Sequence, residues 1–242
     1  MTALSLYREG KLRDAISALG QEVRSNPLDA ERRTFLFELL LFGGEYDRAE
    51  KHLDLLAGAG ANAAAGSLLY RSALHAERTR QSMFRNGELP PAGESLSQAG
   101  VCDGKPFNEL TDADSRIGAN LEVFLAGSYT WIPMRYVARV EMQPPANLRD
   151  LIWINARLET TSGFPIQDIG EVLLPAMAPL SSTHPEEVIQ LGRECAWEPD
   201  QRYGEIPFGA KTFLIDGEER PLLGLRTIEW NSPAKEPQDA AS

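Results

Sequence analysis

Gly10-Lys-Leu-Arg-Asp-Ala15 and Gly44-Glu-Tyr-Asp-Arg-Ala49 are one phrase written twice, 34 residues apart. Both keep the glycine, a bulky apolar residue two positions on and an alanine five positions on. The same offset pairs Leu6 with Leu40 and Leu19 with Leu53. Thirty-four residues is the period of tetratricopeptide helical hairpins. In Asn26-Pro27-Leu28-Asp29, the proline should stop one helix and the aspartate cap the next.

Each repeated residue has a physical task. Glycine permits the reversal between two antiparallel helices. Alanine lets them approach closely while the larger residue fills the crevice beside it. The pattern predicts helices near 2–9, 13–25, 30–42 and 47–57. Phe37 and Glu22 stand where small residues are usual, and Ala57-Gly-Ala-Gly-Ala-Asn62 has no closing proline. A third helical segment, 63–86, carries Leu68, Leu69, Tyr70, Leu74 and Phe84 without a further copy of the phrase, as expected of a helix capping a short solenoid.

The 242 residues suffice for one large or two small units, and 43% apolar with 24% charged residues is a globular composition. The net charge of -11 repels phosphate backbones and anionic membrane surfaces, so neither nucleic acid nor membrane is expected as a partner. Cys102 and Cys195 lie far apart and outside metal or redox spacings, which fits unpaired thiols in a reducing compartment. The start of the chain lacks a signal-peptide core, and the run Phe35–Phe42 is too short to span a bilayer. A cytoplasmic location is expected.

The second half changes character, so the fold class is α+β: residues 1–86 TPR-like and helical, 87–118 an irregular connector, 119–230 a mostly antiparallel β domain with one short helix, and 231–242 a disordered tail. Glycines and prolines from Gly87 to Pro106 mark the connector. Strand patterns follow in 122–131, in 135–142 with Tyr136, Ala138, Val140 and Met142 on one face, and in 151–158, 171–174, 211–215 and 222–230. Asp216-Gly217 signals a hairpin between the last two, and residues 185–190 read as the short helix. A small barrel would suit these strands.

No catalytic, cofactor-binding or metal-binding residue stands out. The glycines near 58–66 and 100–104 lack the spacing and flanking elements of nucleotide loops. His52, His75 and His184 share no ligand spacing, and Asp112 with Asp114 reads as an ordinary solvated pair in the connector. Arg71, Arg78 and Arg85 recur every seven residues along one helix face. The simpler reading is a solvated stripe paired with acids of the β domain; the other is a contact surface for an acidic helix. Tyr7, Leu41 and Phe42, beside Glu31, Thr34 and Glu38, fall where such repeats line a concave groove, and an apolar floor with acidic edges suits a basic amphipathic helix. The same apolar groups could be plain core. Two further readings are a ligand or enzyme pocket at the junction near Trp131, Arg149 and Trp153, and an oligomer formed by an exposed β edge.

More specific phrases lie in the second half: Gly127-Ser-Tyr-Thr-Trp-Ile-Pro-Met134, Leu148-Arg-Asp-Leu-Ile-Trp153, Gly170-Glu-Val-Leu-Leu-Pro175, and Leu191-Gly-Arg193 with Trp197. Together with Ala3-Leu-Ser-Leu-Tyr-Arg-Glu-Gly10, they resemble the ImpE/SciE/TagJ accessory family of type VI secretion systems over almost the whole chain. Ala176-Met177 departs from the aliphatic residue and tyrosine expected there. The resemblance implies a non-enzymatic cytoplasmic adaptor without cofactor. It implies as partner an amino-terminal helix of the small, TssB-like sheath subunit, and through it, indirectly, the ClpV-type disassembly ATPase.

Overall fold

The computed structural model describes residues 1–58, 61–90 and 98–231; the tail expected over 231–242 lies outside them from residue 232 on. Five helices open the chain: α1 (Ala3–Arg8), α2 (Leu12–Ser25), α3 (Ala30–Phe42), α4 (Tyr46–Ala57) and α5 (Ala61–Asn86). Thr2 and Asp29 cap α1 and α3 by accepting from the amides of Ser5 (3.2 Å) and Arg32 (2.9 Å). The repeat extends to individual hydrogen bonds. Lys11 N–H donates to the Leu6 carbonyl and Glu45 N–H to that of Leu40, while Gly10 and Gly44 adopt φ of +80° and +69°. Ala15 and Ala49 are wholly buried. Phe37, unusual at its position, is buried against Tyr70 of α5 at 5.7 Å between ring centres.

Thirteen strands follow among the described residues: β1 (Gly100–Cys102), β2 (Lys105–Phe107), β3 (Leu110–Asp112), β4 (Asn120–Leu125), β5 (Ser128–Pro133), β6 (Val137–Met142), β7 (Trp153–Thr160), β8 (Asp168–Pro175), then helix α6 (Glu187–Gln190), β9 (Ala196–Asp200), β10 (Gly204–Phe208), β11 (Thr212–Ile215), β12 (Glu218–Pro221) and β13 (Thr227–Trp230). One eight-stranded antiparallel sheet runs β2-β1-β13-β6-β7-β8-β4-β5; a second sheet, β12-β11-β3, and the hairpin β9–β10 complete the set.

Several expectations need correction. The span 87–118 is not an irregular connector throughout, because β1–β3 lie in it: Asp103-Gly104, both at positive φ, turn β1 into β2, and β3 joins β11. Residues 222–230 are not one strand, since Leu222–Gly224 forms a single 3-10 turn and only Thr227–Trp230 is extended. Asp216-Gly217 therefore joins β11 to β12, and β13 crosses to the large sheet. Tyr136 lies in a 3-10 turn before β6, and a register shift between Val137 and Arg139 turns Val137 inward as well. The sheet does not close into a barrel, as its outer strands β2 and β5 do not pair with each other. Pro106, Pro133, Pro199, Pro207 and Pro221 each sit in an outer strand and remove an amide there, which works against edge-to-edge association.

The large sheet has two cores because side chains alternate along β7. Ile154, Ala156 and Leu158 join Val140, Ile228, Phe213 and Leu222 between the two sheets. Trp153 faces the other way, into the helices, with Leu41, Phe42, Leu74, Phe124 and Leu173. The helices thus share a core with one face of the sheet. No helix among the described residues is long and apolar enough to cross a membrane.

Candidate functional site

The concave face expected to receive a partner is largely covered by the chain itself. Leu41 and Phe42 are each 3% exposed and close on Ile152, Met177 and Gln190 around a residual cavity of about 20 Å³. They are core residues, not groove lining. Tyr7 is half-buried, with its ring under the Arg193 guanidinium at 4.6 Å and its carbonyl accepting from Arg193 Nη2 at 2.6 Å. The repeated glycines are part of this closure. A Cβ on Gly10 would stand 2.9 Å from Val188, and one on Gly44 2.7 Å from Ser182 Oγ. Glu31 remains exposed, and Thr34 is half-buried with its hydroxyl donating to the Ala30 carbonyl.

Glu38 is half-buried on the same helix. Burial pushes its pKa up to about 7, against the opposing pull of the Arg149 amide and guanidinium. Because the folded value lies above the ordinary 4.5, the protonated form favours the fold and this contribution is lost as pH rises towards 7. Glu38→Gln should therefore match the parent protein at pH 4 and exceed its stability at pH 8, by on the order of 1 kcal/mol after solvent screening. Urea midpoints that differ equally at both pH values would overturn this.

Two members of the arginine stripe on α5 pair with α4, not with the β-rich half. Arg71 meets Asp54, and Arg78 meets Asp47 and Glu50, both at 2.8 Å. Such exposed pairs contribute little each. Among the histidines, His184 is buried and accepts from the Glu186 amide through Nδ1, at 3.1 Å. No cluster of three metal-type ligands occurs among the described residues, and both cysteines are free thiols.

Asp112 and Asp114 are not solvated; they are 4% and 1% exposed. Asp114 clasps Arg116, whose guanidinium lies 4.8 Å from the Phe84 ring centre. Asp112 pairs with Lys211 in a larger buried network. At its centre Glu122 accepts from Arg80 Nε (2.7 Å) and Nη2 (3.0 Å), Lys211 Nζ (2.6 Å) and the Tyr129 hydroxyl (2.5 Å). Arg80 also reaches Glu77 (3.3 Å) and the Met177 carbonyl (3.0 Å), and Trp153 Nε1 donates to Glu77 at 2.8 Å. Burial alone would neutralise Glu122, yet Arg80 and Lys211 outweigh it and hold the carboxyl well below the usual range. Asp112 goes the other way, since burial raises it to about 6 despite Lys211. A carboxylate engaged by three such donors offers no electron pair to a substrate. The network joins α5 to the sheets.

Glu77, Arg80, Gln81 and Phe84 share one helical face at i, i+3, i+4 and i+7, a pattern visible in the sequence but normally read only for apolar residues. The residues expected to line a junction pocket, Trp131, Arg149 and Trp153, are not brought together around one. Trp131 stacks on Phe84 and Arg149 on Tyr70, fourteen residues apart on α5 and hence about 21 Å along its axis. Arg149 instead pairs with Asp150 at 2.7 Å, and Asp150 accepts from the Ala146 and Asn147 amides at 2.9 Å each.

What stays open lies at the other end of α5. Its C-terminal half, through Arg80 and Phe84, is covered by β4 and β5. Its N-terminal half exposes Leu68 (66%) and Leu69 (52%). There, Leu69, Ser72 and Ala73 form one wall of a groove of about 220 Å³. Phe124, Ala126, Gly127, Val172 and Leu173 form the rest, rimmed by Asn155 and Glu171.

The ImpE protein family model matches residues 104–229. The type VI secretion system accessory component TagJ of Pseudomonas aeruginosa is 31% identical over 99% of this chain and 93% of its own length. The chain belongs to the ImpE/TagJ family. A Vibrio parahaemolyticus protein of known crystal structure, 19% identical, superposes with a TM-score of 0.82 over 95% of this chain and 97% of that one, which shows that the fold is shared. The ImpE model spans the segment from β2 to β13 and so includes both Glu122 and Lys211, the sheet-borne half of the buried network. The first sixty residues, with their 34-residue repeat, lie outside the ImpE match but inside the alignment with TagJ.

Proposed function

We propose that this protein is a non-enzymatic cytoplasmic adaptor of a type VI secretion system, docking an amino-terminal helix of the small sheath subunit and thereby influencing sheath assembly or recycling by the disassembly ATPase. The observation that carries the reading is the partly covered α5. In a stack of helical hairpins each helix packs on two neighbours. α5 has α4 on one side, but β4 and β5 cover only its C-terminal half. The exposed Leu68 and Leu69, with the groove beside Leu69, offer an apolar surface on which a partner helix would complete the third hairpin.

This relocates the docking face from α1 and α3, whose Leu41 and Phe42 are spent on the internal core. The alternative of a ligand site built from Trp131, Arg149 and Trp153 is weakened by the separation of Trp131 from Arg149. Isothermal titration with a peptide of the sheath subunit's amino-terminal helix tests the proposal. Leu69→Asp, at a half-exposed position, should leave the fold intact and weaken binding at least about ten-fold. Unchanged binding by that variant, with loss in Glu38→Lys or Tyr7→Ala, would return the site to α1 and α3. No binding by the parent protein would remove the proposal altogether.

A further inference from the structure

The groove beside α5 also carries information about the charge of its occupant. Its floor is apolar, with Phe124 4% and Leu173 6% exposed. Ser72, Ala73, Ala126 and Gly127 are small, so an incoming helix can bring its backbone close. The two polar residues on the rim are Asn155 and Glu171, both exposed, and no cationic side chain lines the groove. Arg157 is the cross-strand partner of Glu171, but its guanidinium is given to Asp168 at 3.0 Å and Glu159 at 3.6 Å. Glu171 therefore forms no ion pair with any described residue, beside a surface that already carries Asp168 and Glu159.

Resting on the docking reading above, we infer that the groove selects an amphipathic helix whose apolar stripe is flanked by a lysine or arginine, and that Glu171 receives that cation. A second copy of this chain is a poor occupant, since each copy carries a net charge of -11. A basic-flanked helix gains from the field of the whole molecule at long range and from Glu171 at contact. The carboxylate sits at the rim, where a charge guides association and register more than it adds raw affinity.

The experiment uses the full-length protein and the sheath-subunit helix as a fluorescent peptide, titrated at about 50 and about 300 mM salt, on either side of the physiological screening range. Glu171→Gln should weaken binding about three-fold at low salt and Glu171→Lys about ten-fold, both effects shrinking at high salt. A peptide whose flanking lysines and arginines are changed to glutamate should bind the parent weakly and recover on Glu171→Lys. If the parent binds and Leu69→Asp abolishes binding while both Glu171 variants are neutral, the charge selection is wrong and the docking site stands. A peptide that binds equally well without its cations would likewise overturn the charge selection alone. If Leu69→Asp is also neutral, or the parent does not bind, the docking reading falls and this inference with it.

Discussion

Arg80→Ala is expected to destabilise the protein by about 3–5 kcal/mol, a large part of the roughly 5–15 kcal/mol of an ordinary domain. Arg80 is 1% exposed and forks between Glu122, Glu77 and the Met177 carbonyl. Truncation would leave two buried carboxylates sharing Lys211, Trp153, Gln81 and Tyr129, with three charges of one sign against one of the other once Asp112 is counted. Arg80→Lys keeps the charge but cannot span three acceptors, so it should recover only part of the loss. Urea denaturation followed by tryptophan fluorescence reads this directly, as Trp131 and Trp153 lie beside the network. Full recovery by lysine would reduce the role of Arg80 to simple charge balance. Should the alanine variant fail to fold, Glu122→Gln offers a milder test with the same sign.

Trp153 carries the second large effect. Its side chain is fully buried, meets Phe124 at 6.3 Å between ring centres and donates to Glu77 at 2.8 Å. Trp153→Ala should cost about 3–5 kcal/mol through the cavity it leaves. Trp153→Phe retains most of the volume and removes the donor, so its cost of about 1–3 kcal/mol isolates the unsatisfied Glu77 oxygen. Equal losses in the two variants would mean that packing volume is not what Trp153 supplies.

The helical half was legible because its signals are local. A glycine that must turn left-handed, an alanine that must be small and a capping aspartate depend on neighbours within a few residues, so Gly10, Gly44, Ala15, Ala49 and Asp29 were readable in place. The β-rich half was legible only in outline. Whether Leu222–Trp230 is one strand or a turn and a strand depends on which sheet each piece joins. Strands β1–β3 are three residues long, too short for alternation to register.

The candidate site divides in the same way. Leu41 and Phe42 read equally well as groove floor or as core, and what decides it is remote: the covering residues, Ile152, Met177 and Gln190, come from far along the chain, in its β-rich half. The buried charges were misread for the reverse reason. Asp112 and Asp114, in a stretch punctuated by glycines and prolines, look solvated until Lys211 arrives beside the first and Arg116 folds back onto the second. By itself the sequence determined the two hairpins, the α+β class and the family, since these rest on local spacing and ordered phrases. Only the tertiary structure decided that the concave face is closed by the chain's own second half and that the open apolar surface lies on α5. Burial is a property of what a distant segment covers, and no local pattern carries it.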